Sequence, residues 1–490
     1  MVSLTFYGGI NKIGGNKILL EDDDVRIFLD FGMNFEEHQN YFTEYMPPRK
    51  CNCIKDFIYL GLLPDLKGIY RRDYCRHMNL DYLEENSVDG VLISHAHIDH
   101  VGYVHFMRKD IPVYVSAETK AVMELFSKIG ASNFEEFTGF KPSFQLIKKK
   151  MGDGEKRRDA RDGIEERNVN LFEFGKKFKI GDLEILPCRV DHSLPGATGY
   201  IIYTSDGVVV YTGDLRFHGR NNDWSHNFVD KASQETPLVM LSEGTRIDER
   251  EAKTEEYVLK ESTKHLSGKK GLAIVNFPIR DTERLLTFYY TAVNNNRKLV
   301  LEYRQAMLLD LMRKNGVEGL PKSNDKNIRI FYPKKSWGLI GRNDFPEEQI
   351  SQDYSSWERD YLSLDNIIIA DEISKKQKDY VMFMNYFQLN NLIDIKPIKD
   401  SIHIRSICEP FSEEMELDQK RIDNWLKRFG LYPELKIHSS GHACGPAIFK
   451  MIQKVNPKKL FPIHTVKPKF FKKLTRINIV YPEYGKKISI

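Results

Sequence analysis

The sequence predicts a layered α/β protein, and three observations point to it. Short β-rich runs bounded by Gly and Asp recur through the first half, and helical patterns lie between some of them. After Glu243 the order becomes β-α-β-α, the texture of a parallel sheet with crossover helices. Ser3 to Tyr7, Lys17 to Leu20 and Val25 to Leu29 read as strands, the last running into Asp30-Phe31-Gly32. Val88 to Ser94 is an apolar strand that leads straight into HAHIDHVG, and Ala117 to Ile129 is helical. The segment Lys148 to Arg167, with eight basic and six acidic residues, offers almost nothing to bury and reads as a mobile surface loop. Further strands read at Leu183 to Val190, Gly199 to Thr204, Val208 to Thr212 and Pro237 to Ser242.

In the second half, a buried-type strand at Gly271 to Phe277 precedes a helix near Thr282 to Asn294. A strand at Leu299 to Glu302 and a helix from Gln305 to Lys314 follow. Asn324 to Trp357 reads as loop-rich; Asn366 to Ala370 and Ser401 to Ile407 resume strand character, and Asp418 to Phe429 is helical. Strand, loop, helix and strand around SSGHACG and LFPIHT close the pattern.

At 490 residues the chain predicts two or three domains of roughly 150 residues each. It is 41% hydrophobic and 29% charged, which supports ordinary cores and argues against global disorder. No apolar run approaches the roughly 18 residues that span a bilayer, and MVSLTFYGG enters a strand pattern with no basic, apolar leader. Membrane spanning and classical secretion are therefore not expected. Six cysteines in so long a chain make no disulfide framework and fit a reducing cytoplasm. Cys51-x-Cys53 with Cys75-x-His77 has the residue types of a zinc clip, but unusual spacing for one, and the sequence leaves it open. The net charge of +4 diagnoses no partner, whereas Lys450 to Ile490 carries eleven basic residues against Glu483 alone, a surface suited to a polyanion.

The strongest chemical signal is His95-Ala96-His97-Ile98-Asp99-His100, directly after a buried strand. In extended chain, residues two apart point to one side, so His95, His97 and Asp99 converge, and a turn brings in His100. Three imidazoles and a carboxylate so close are costly to bury unless they coordinate something; they suit Zn²⁺, and also Mn²⁺. His192, Asp214 and His464 also stand where strands end, and the seven ligands together suffice for two metals if Asp214 bridges them.

This set, in this order, resembles the metallo-β-lactamase superfamily: Asp30 matches its first motif, His95 to His100 its second, His192 its third and Asp214 its fourth. The resemblance implies an αββα sandwich with a dinuclear centre at the edge between its sheets, and Asp30 supporting the ligands rather than binding metal. Glu243 in MLSEGT, His442 in SSGHACG and His464 in FPIHT match motifs A, B and C of the β-CASP nucleases. Within these the chain is most similar to the ribonuclease J group, particularly archaeal-type members, through YGGINKIGGNKILL, LDFGMNF, YTGDLRFHGR, ICEPFSEEMELD and the motifs above. There are departures: Asp191 precedes the third-motif His where bacterial members often have Asn, and RSICEPFSEE replaces their Ser- and Gly-rich phosphate-binding stretches. The charged loop and the cysteine-bearing stretch look like additions, and the bacterial-type oligomerisation domain is expected to be absent.

The resemblance implies residues 1–248 and 442–490 as the two parts of the metallo-β-lactamase domain, and 249–441 as an inserted, Rossmann-like β-CASP domain. It implies His95, His97 and His192 on one metal, Asp99, His100 and His464 on the other, and Asp214 between them. Zn is expected, with Mn or Mg as alternatives. Asp99, Glu243 and His442 carry catalysis in this reading, His442 at the scissile phosphate or leaving oxygen and Glu243 keeping it cationic. Ser439 and Ser440 are expected to donate to phosphate. Arg280, Arg284 and Arg304 follow apolar strands, and their guanidinium forks suit an RNA backbone, with helix-surface pairs to Asp281 or Glu283 as the rival. The expected activity is metal-dependent RNA hydrolysis from the 5′ end, with endonuclease cuts open, on single-stranded RNA; a homodimer and RNA-decay partners are left open. The rivals are a DNA nuclease, disfavoured by His464 at motif C, a small-molecule esterase, which needs no inserted domain of this kind, and a catalytically silent RNA-binding scaffold, which would lack a ligand.

Overall fold

The computed structural model describes residues 1–43, 45–129, 134–141, 145–149, 151–158, 165–409, 413–473 and 477–490. Two seven-stranded sheets lie face to face. The first runs Val169–Leu171, Val113–Val115, Gly90–Leu92, Val25–Phe31, Lys17–Asp22, Ser3–Phe6, Lys487–Ser489; the second runs Phe178–Ile180, Leu183–Arg189, Thr198–Thr204, Gly207–Tyr211, Val239–Glu243, Lys459–Ile463, Asn478–Ile479. Strand alternation decides which side chains meet between them. Leu4, Phe6, Ile18, Leu20, Ile27 and Leu29 pack against Ile185, Tyr200, Ile202, Tyr211, Leu241, Phe461 and Ile463 in one buried cluster, with Phe6 and Phe461 stacked at 5.6 Å. The alternate residues face outward. Ile201, Val210, Met240 and Leu460 pack with Phe228 and Val229 of helix Asn222–Gln234 and Ile448, Met451 and Ile452 of helix Gly445–Val455. On the other side Leu19, Phe28 and Val91 share a cluster with Ala121, Val122 and Leu125 of helix Ala117–Ile129. The result is the αββα sandwich expected.

Between two adjacent parallel strands of the second sheet, Val239–Glu243 and Lys459–Ile463, the chain builds a third sheet. Its order is Ile367–Ile368, Ile328–Phe331, Lys298–Glu302, Tyr380–Phe383, Ala273–Asn276, Ile402–Arg405, Leu435–Lys436, and every pairing is parallel. Both faces are covered, as a parallel sheet requires, and the face carrying Leu299, Leu301 and Val381 shares its core cluster with the sandwich helix Ala117–Ile129. No helix among the described residues is long and apolar enough to cross a membrane.

The structure departs from the sequence reading in its short strands. Val113–Val115, Val169–Leu171, Ile328–Phe331 and Tyr380–Phe383 are strands that the reading missed, and the third lies inside the stretch expected to be loop-rich. Runs this short carry too little periodicity to be told from loop or buried helix. Lys148 to Arg167 is also more ordered at its ends than a surface loop. Gln145–Lys148 pairs with Glu155–Arg158, and the buried Arg167 guanidinium donates to the carbonyls of Met107 and Arg108; residues 150 and 159–164 lie outside the described set. For the cysteine clip, Cys75 is buried, Cys51 exposed, and His77 Nε2 lies 3.0 Å from the Cys51 carbonyl oxygen. No donor set among the described residues joins them, and the Cys53 side chain lies outside the description.

Truncating Phe461 to Ala removes the stacked partner of Phe6 and leaves a cavity between the sheets. The expected cost is about 3–5 kcal/mol, read as a lower thermal midpoint by circular dichroism; an unchanged midpoint would contradict the packing described.

Candidate metal centre

The strands that end at one edge of the sandwich deliver the polar residues. Gly90–Leu92 runs into Ser94 and His95, Leu183–Arg189 into His192, Gly207–Tyr211 into Asp214, Val239–Glu243 ends on Glu243, and Lys459–Ile463 runs into His464. The short helix Ile98–Val101, with His97 at its N-cap, folds Asp99 and His100 back to the same point. Close backbone approach makes this possible: a Cβ on Gly32 would sit 1.7 Å from the Asp99 carbonyl oxygen, so only glycine fits there.

The donors fall into three overlapping clusters: His95, His97, His192 and Asp214; Asp214, Glu243, His442 and His464; and Asp99, His100 and His464. His95 Nε2 lies 2.9 Å from His97 Nδ1 and 3.7 Å from Asp214 Oδ2, and His192 Nε2 lies 3.2 Å from His97 Nδ1 and 4.0 Å from Asp214 Oδ2. On the other side His464 Nε2 lies 3.1 Å from Asp99 Oδ2 and 3.6 Å from Asp214 Oδ2, while His100 Nε2 is 3.1 Å from Asp214 Oδ2 and 3.8 Å from Asp99 Oδ2. Tetrahedral bonds of about 2.0–2.1 Å put ligand atoms about 3.3–3.4 Å apart, so the donors on both sides have the spacing of a divalent-metal site. Asp214 Oδ1 is buried with no hydrogen-bond partner among the described residues, a costly state for a carboxylate unless a cation satisfies it.

Four of the five imidazoles are oriented through their other nitrogen. His192 Nδ1 lies 2.6 Å from the Gly441 carbonyl oxygen, His464 Nδ1 2.8 Å from Thr245 Oγ1, and His95 Nδ1 3.0 Å from Ser94 Oγ. His100 Nδ1 meets Asp30 Oδ2 at 2.6 Å. Asp30 itself sits at φ +56° and accepts from Ser94 N at 2.6 Å, Ser94 Oγ at 2.8 Å and Tyr211 Oη at 2.5 Å. It holds His100 and the Ser94 turn in place and belongs to none of the donor clusters. Burial pushes His95, His97 and His192 down, His97 to about 4, which keeps the neutral form that binds metal.

Beside this centre His442 Nδ1 lies 3.1 Å from Glu243 Oε2 and 3.9 Å from Asp214 Oδ2. Burial alone would lower this imidazole, but the carboxylates of Glu243 and Asp214 outweigh it and hold it up at about 9. The His438–His442 loop is gripped from both domains. Arg216 of the sandwich, fully buried, donates to Ser440 O at 3.1 Å, Asp191 Oδ1 at 2.9 Å and Glu283 Oε2 at 2.6 Å. Arg284 of the inserted unit donates to Ser439 O at 2.9 Å, to both Glu255 oxygens at 2.7 and 3.0 Å, and to Ser406.

That network corrects two expectations. Arg284 is 0% exposed with its guanidinium engaged on every side, so it braces the domain junction and does not face RNA. Ser439 is likewise buried, its hydroxyl donating to the Lys253 carbonyl, and cannot reach a phosphate. Ser440 is half-buried, and its Oγ accepts from the His442 amide. Arg280 does stand at the centre: it lines a cleft of about 140 Å³ with His97, Ser193, Leu194, Pro278, Ile279 and Asp281, its guanidinium 4.3 Å over the Phe126 ring. Arg304 is half-buried just past Lys298–Glu302, farther from the cleft. In the basic C-terminal stretch, Lys454, Lys467 and Lys487 are paired with Asp230, Asp248 and Glu21. The sequence reading did not pick out Arg216, Glu255 and Thr245; they act through buried partners distant in the chain, and no local motif marks them.

Residues 68–241 match the family model of the metallo-beta-lactamase superfamily. The chain is 24% identical to ribonuclease J of Mycoplasma genitalium, over 94% of its own length and 67% of that protein's. It is 22% identical to ribonuclease J of Thermus thermophilus, over 94% and 68% respectively. A crystal structure of a protein of unknown function from Enterococcus faecalis V583 has the same fold, with a TM-score of 0.71, 24% identity and 99% of both chains covered. The sandwich, the donor clusters and these likenesses together make the chain similar to the metallo-β-lactamase superfamily and, over most of its length, to ribonuclease J proteins.

Proposed function

We propose that this protein is a two-metal ribonuclease that hydrolyses RNA phosphodiester bonds from the 5′ end, with endonuclease cuts as a second mode, in RNA processing or decay. The observation that carries the reading is the place of Asp214, whose Oδ2 lies within 4.0 Å of His95 and His192 on one side and of His100 and His464 on the other, with the His442–Glu243 pair beside it. In this reading His95, His97 and His192 hold one ion, Asp99, His100 and His464 the other, and Asp214 both. Imidazole and carboxylate donors suit zinc best, with manganese or magnesium as alternatives. Two such ions, when bound, supply a nucleophile from water near neutral pH and neutralise phosphate charge.

The chain's own residues do the rest. Asp30, Thr245 and the Gly441 carbonyl keep the imidazoles turned toward the ions. Glu243 keeps His442 protonated and aims it, so that it donates to a phosphate oxygen or to the leaving oxygen. Arg280 contacts the RNA backbone in the cleft between the sandwich and the inserted domain, for which we propose bounds of 249–441. A silent scaffold is disfavoured, since no ligand of either set is missing. Digestion of 5′-monophosphorylated, 5′-triphosphorylated and circular RNA beside matched DNA, by the metal-loaded protein, tests polarity and substrate class together.

Asp214→Ala is expected to abolish RNA hydrolysis and reduce bound metal, whereas His442→Ala keeps its metal and loses about 10²–10⁴-fold in turnover. Metal analysis beside turnover checks both. Undiminished cleavage by Asp214→Ala would sink the dinuclear assignment, and halved metal content in His442→Ala would make that histidine a ligand.

Arg284→Met strands the buried Glu255 and is expected to cost about 3–5 kcal/mol of stability, while Arg280→Ala leaves the thermal midpoint alone. On single-stranded RNA, Arg280→Ala lowers the slope of log affinity against log salt by about 0.7. Equal salt slopes for Arg280→Ala and the parent protein, both made inactive by His442→Ala, would remove Arg280 from the backbone contact.

A further inference from the structure

The carboxyl edge of the inserted parallel sheet carries features that the hydrolytic centre does not use. Just past Ala273–Asn276, Pro278 to Asp281 line the cleft beside His97, so this edge begins at the metal centre. Moving outward, the strand order gives Tyr380–Phe383, then Lys298–Glu302, then Ile328–Phe331. At about 4.8 Å per strand, the last of these ends about 14 Å from Ala273–Asn276 along the rim.

Two large aromatic rings stand in water on that rim. Phe387, four residues past Phe383, is 97% exposed, and Trp337, six residues past Phe331, is 86% exposed. Neither lies on a loose segment. Phe387 belongs to the 3₁₀ turn Tyr386–Asn391, closed by a reciprocal Asn385–Gln388 cap, and Gln388 Nε2 donates to Glu302 Oε2 at 2.7 Å. The Trp337 and Leu339 amides both donate to the Asp353 carboxylate, and Lys334 pairs with Asp394 at 2.8 Å, tying the two rims together. The strand Lys298–Glu302 lies between the two strands that precede these rings, and just past it Arg304 Nε is buried with no hydrogen-bond partner among the described residues.

We propose that this rim is a second contact site for the single-stranded RNA substrate, in which Phe387 and Trp337 stack nucleobases and the half-buried Arg304, just past the strand between them, donates to phosphate. The proposal rests on the ribonuclease reading of the centre and adds to it a grip on nucleotides downstream of the scissile bond. Rigidly held exposed rings beside a cation match the way proteins hold unpaired strands, since every base has a face to stack. A protein partner would ask for continuous apolar area, which two separate rings do not offer.

The test uses the full, metal-loaded chain with Trp337→Ala and Phe387→Ala combined, on RNAs of two nucleotides and of about twenty. The expected result is a KM for the long RNA raised about tenfold or more, with kcat on the long RNA, both constants on the dinucleotide and metal content unchanged. Trp337→Phe with Phe387→Tyr restores the parent KM. In a His442→Ala background, oligouridylate quenches tryptophan fluorescence, and Trp337→Phe removes most of that quench. An unchanged KM on long RNA, or a quench that survives Trp337→Phe, overturns the stacking site. Failure of the parent protein to cleave either RNA would instead bring down the ribonuclease reading, which is a separate outcome.

Discussion

The Asp30 carboxylate is the interaction on which the centre depends. It is wholly buried at the end of a first-sheet strand, and its two oxygens take hydrogen bonds from the Ser94 amide and hydroxyl, from His100 and from Tyr211. Tyr211 belongs to the second sheet, so one side chain ties both sheets to the loop that carries the histidines. A buried carboxylate is tolerable only when paired in this way, and the pairing leaves His100 with a single nitrogen, Nε2, free to turn inward. Asp30 at φ +56° and His464 at φ +51° both hold backbone conformations that L-residues seldom adopt, strain that the surrounding packing must offset.

Around that anchor the protein concentrates charge which would repel itself without compensation. Asp99 and Asp214 sit well below the usual carboxylate range: burial opposes this, but the neighbouring imidazoles outweigh it. The inserted domain enters through the His442 loop. Its carbonyls at Ser439 and Ser440 are held by Arg284 from one domain and Arg216 from the other, and its Gly441 carbonyl orients His192. A Cβ at Gly441 would stand 2.5 Å from Ser193 Oγ, which is why this loop can lie against His192. The placement of His442 therefore belongs to the junction between two domains, and a change in how they meet would be felt at the phosphate.

The two parts of the fold were unequally legible. Long alternating runs such as Leu183–Arg189 and Thr198–Thr204 announced themselves, because one face of each is core and alternation records it. Tyr380–Phe383, buried over its whole length, left no alternation to read. The same contrast holds for the site. Seven metal-type donors at strand ends were visible as residue types in order, since coordination chemistry restricts which side chains can serve. Arg284 looked like an RNA contact because its position after an apolar strand is compatible with either role; only its fully buried partners reveal a brace.

What the amino-acid sequence determined by itself was the chemistry and the layered α/β class, because ligand identity and strand alternation are local properties of the chain. Tertiary structure alone decided that Arg284 braces the His442 loop, that Ser439 is sealed against Lys253, and that Phe387 and Trp337 share a rim. Each of these joins residues brought together by sheet order and domain docking. Sheet order is set by the summed burial of whole layers, a quantity that no short window of sequence contains.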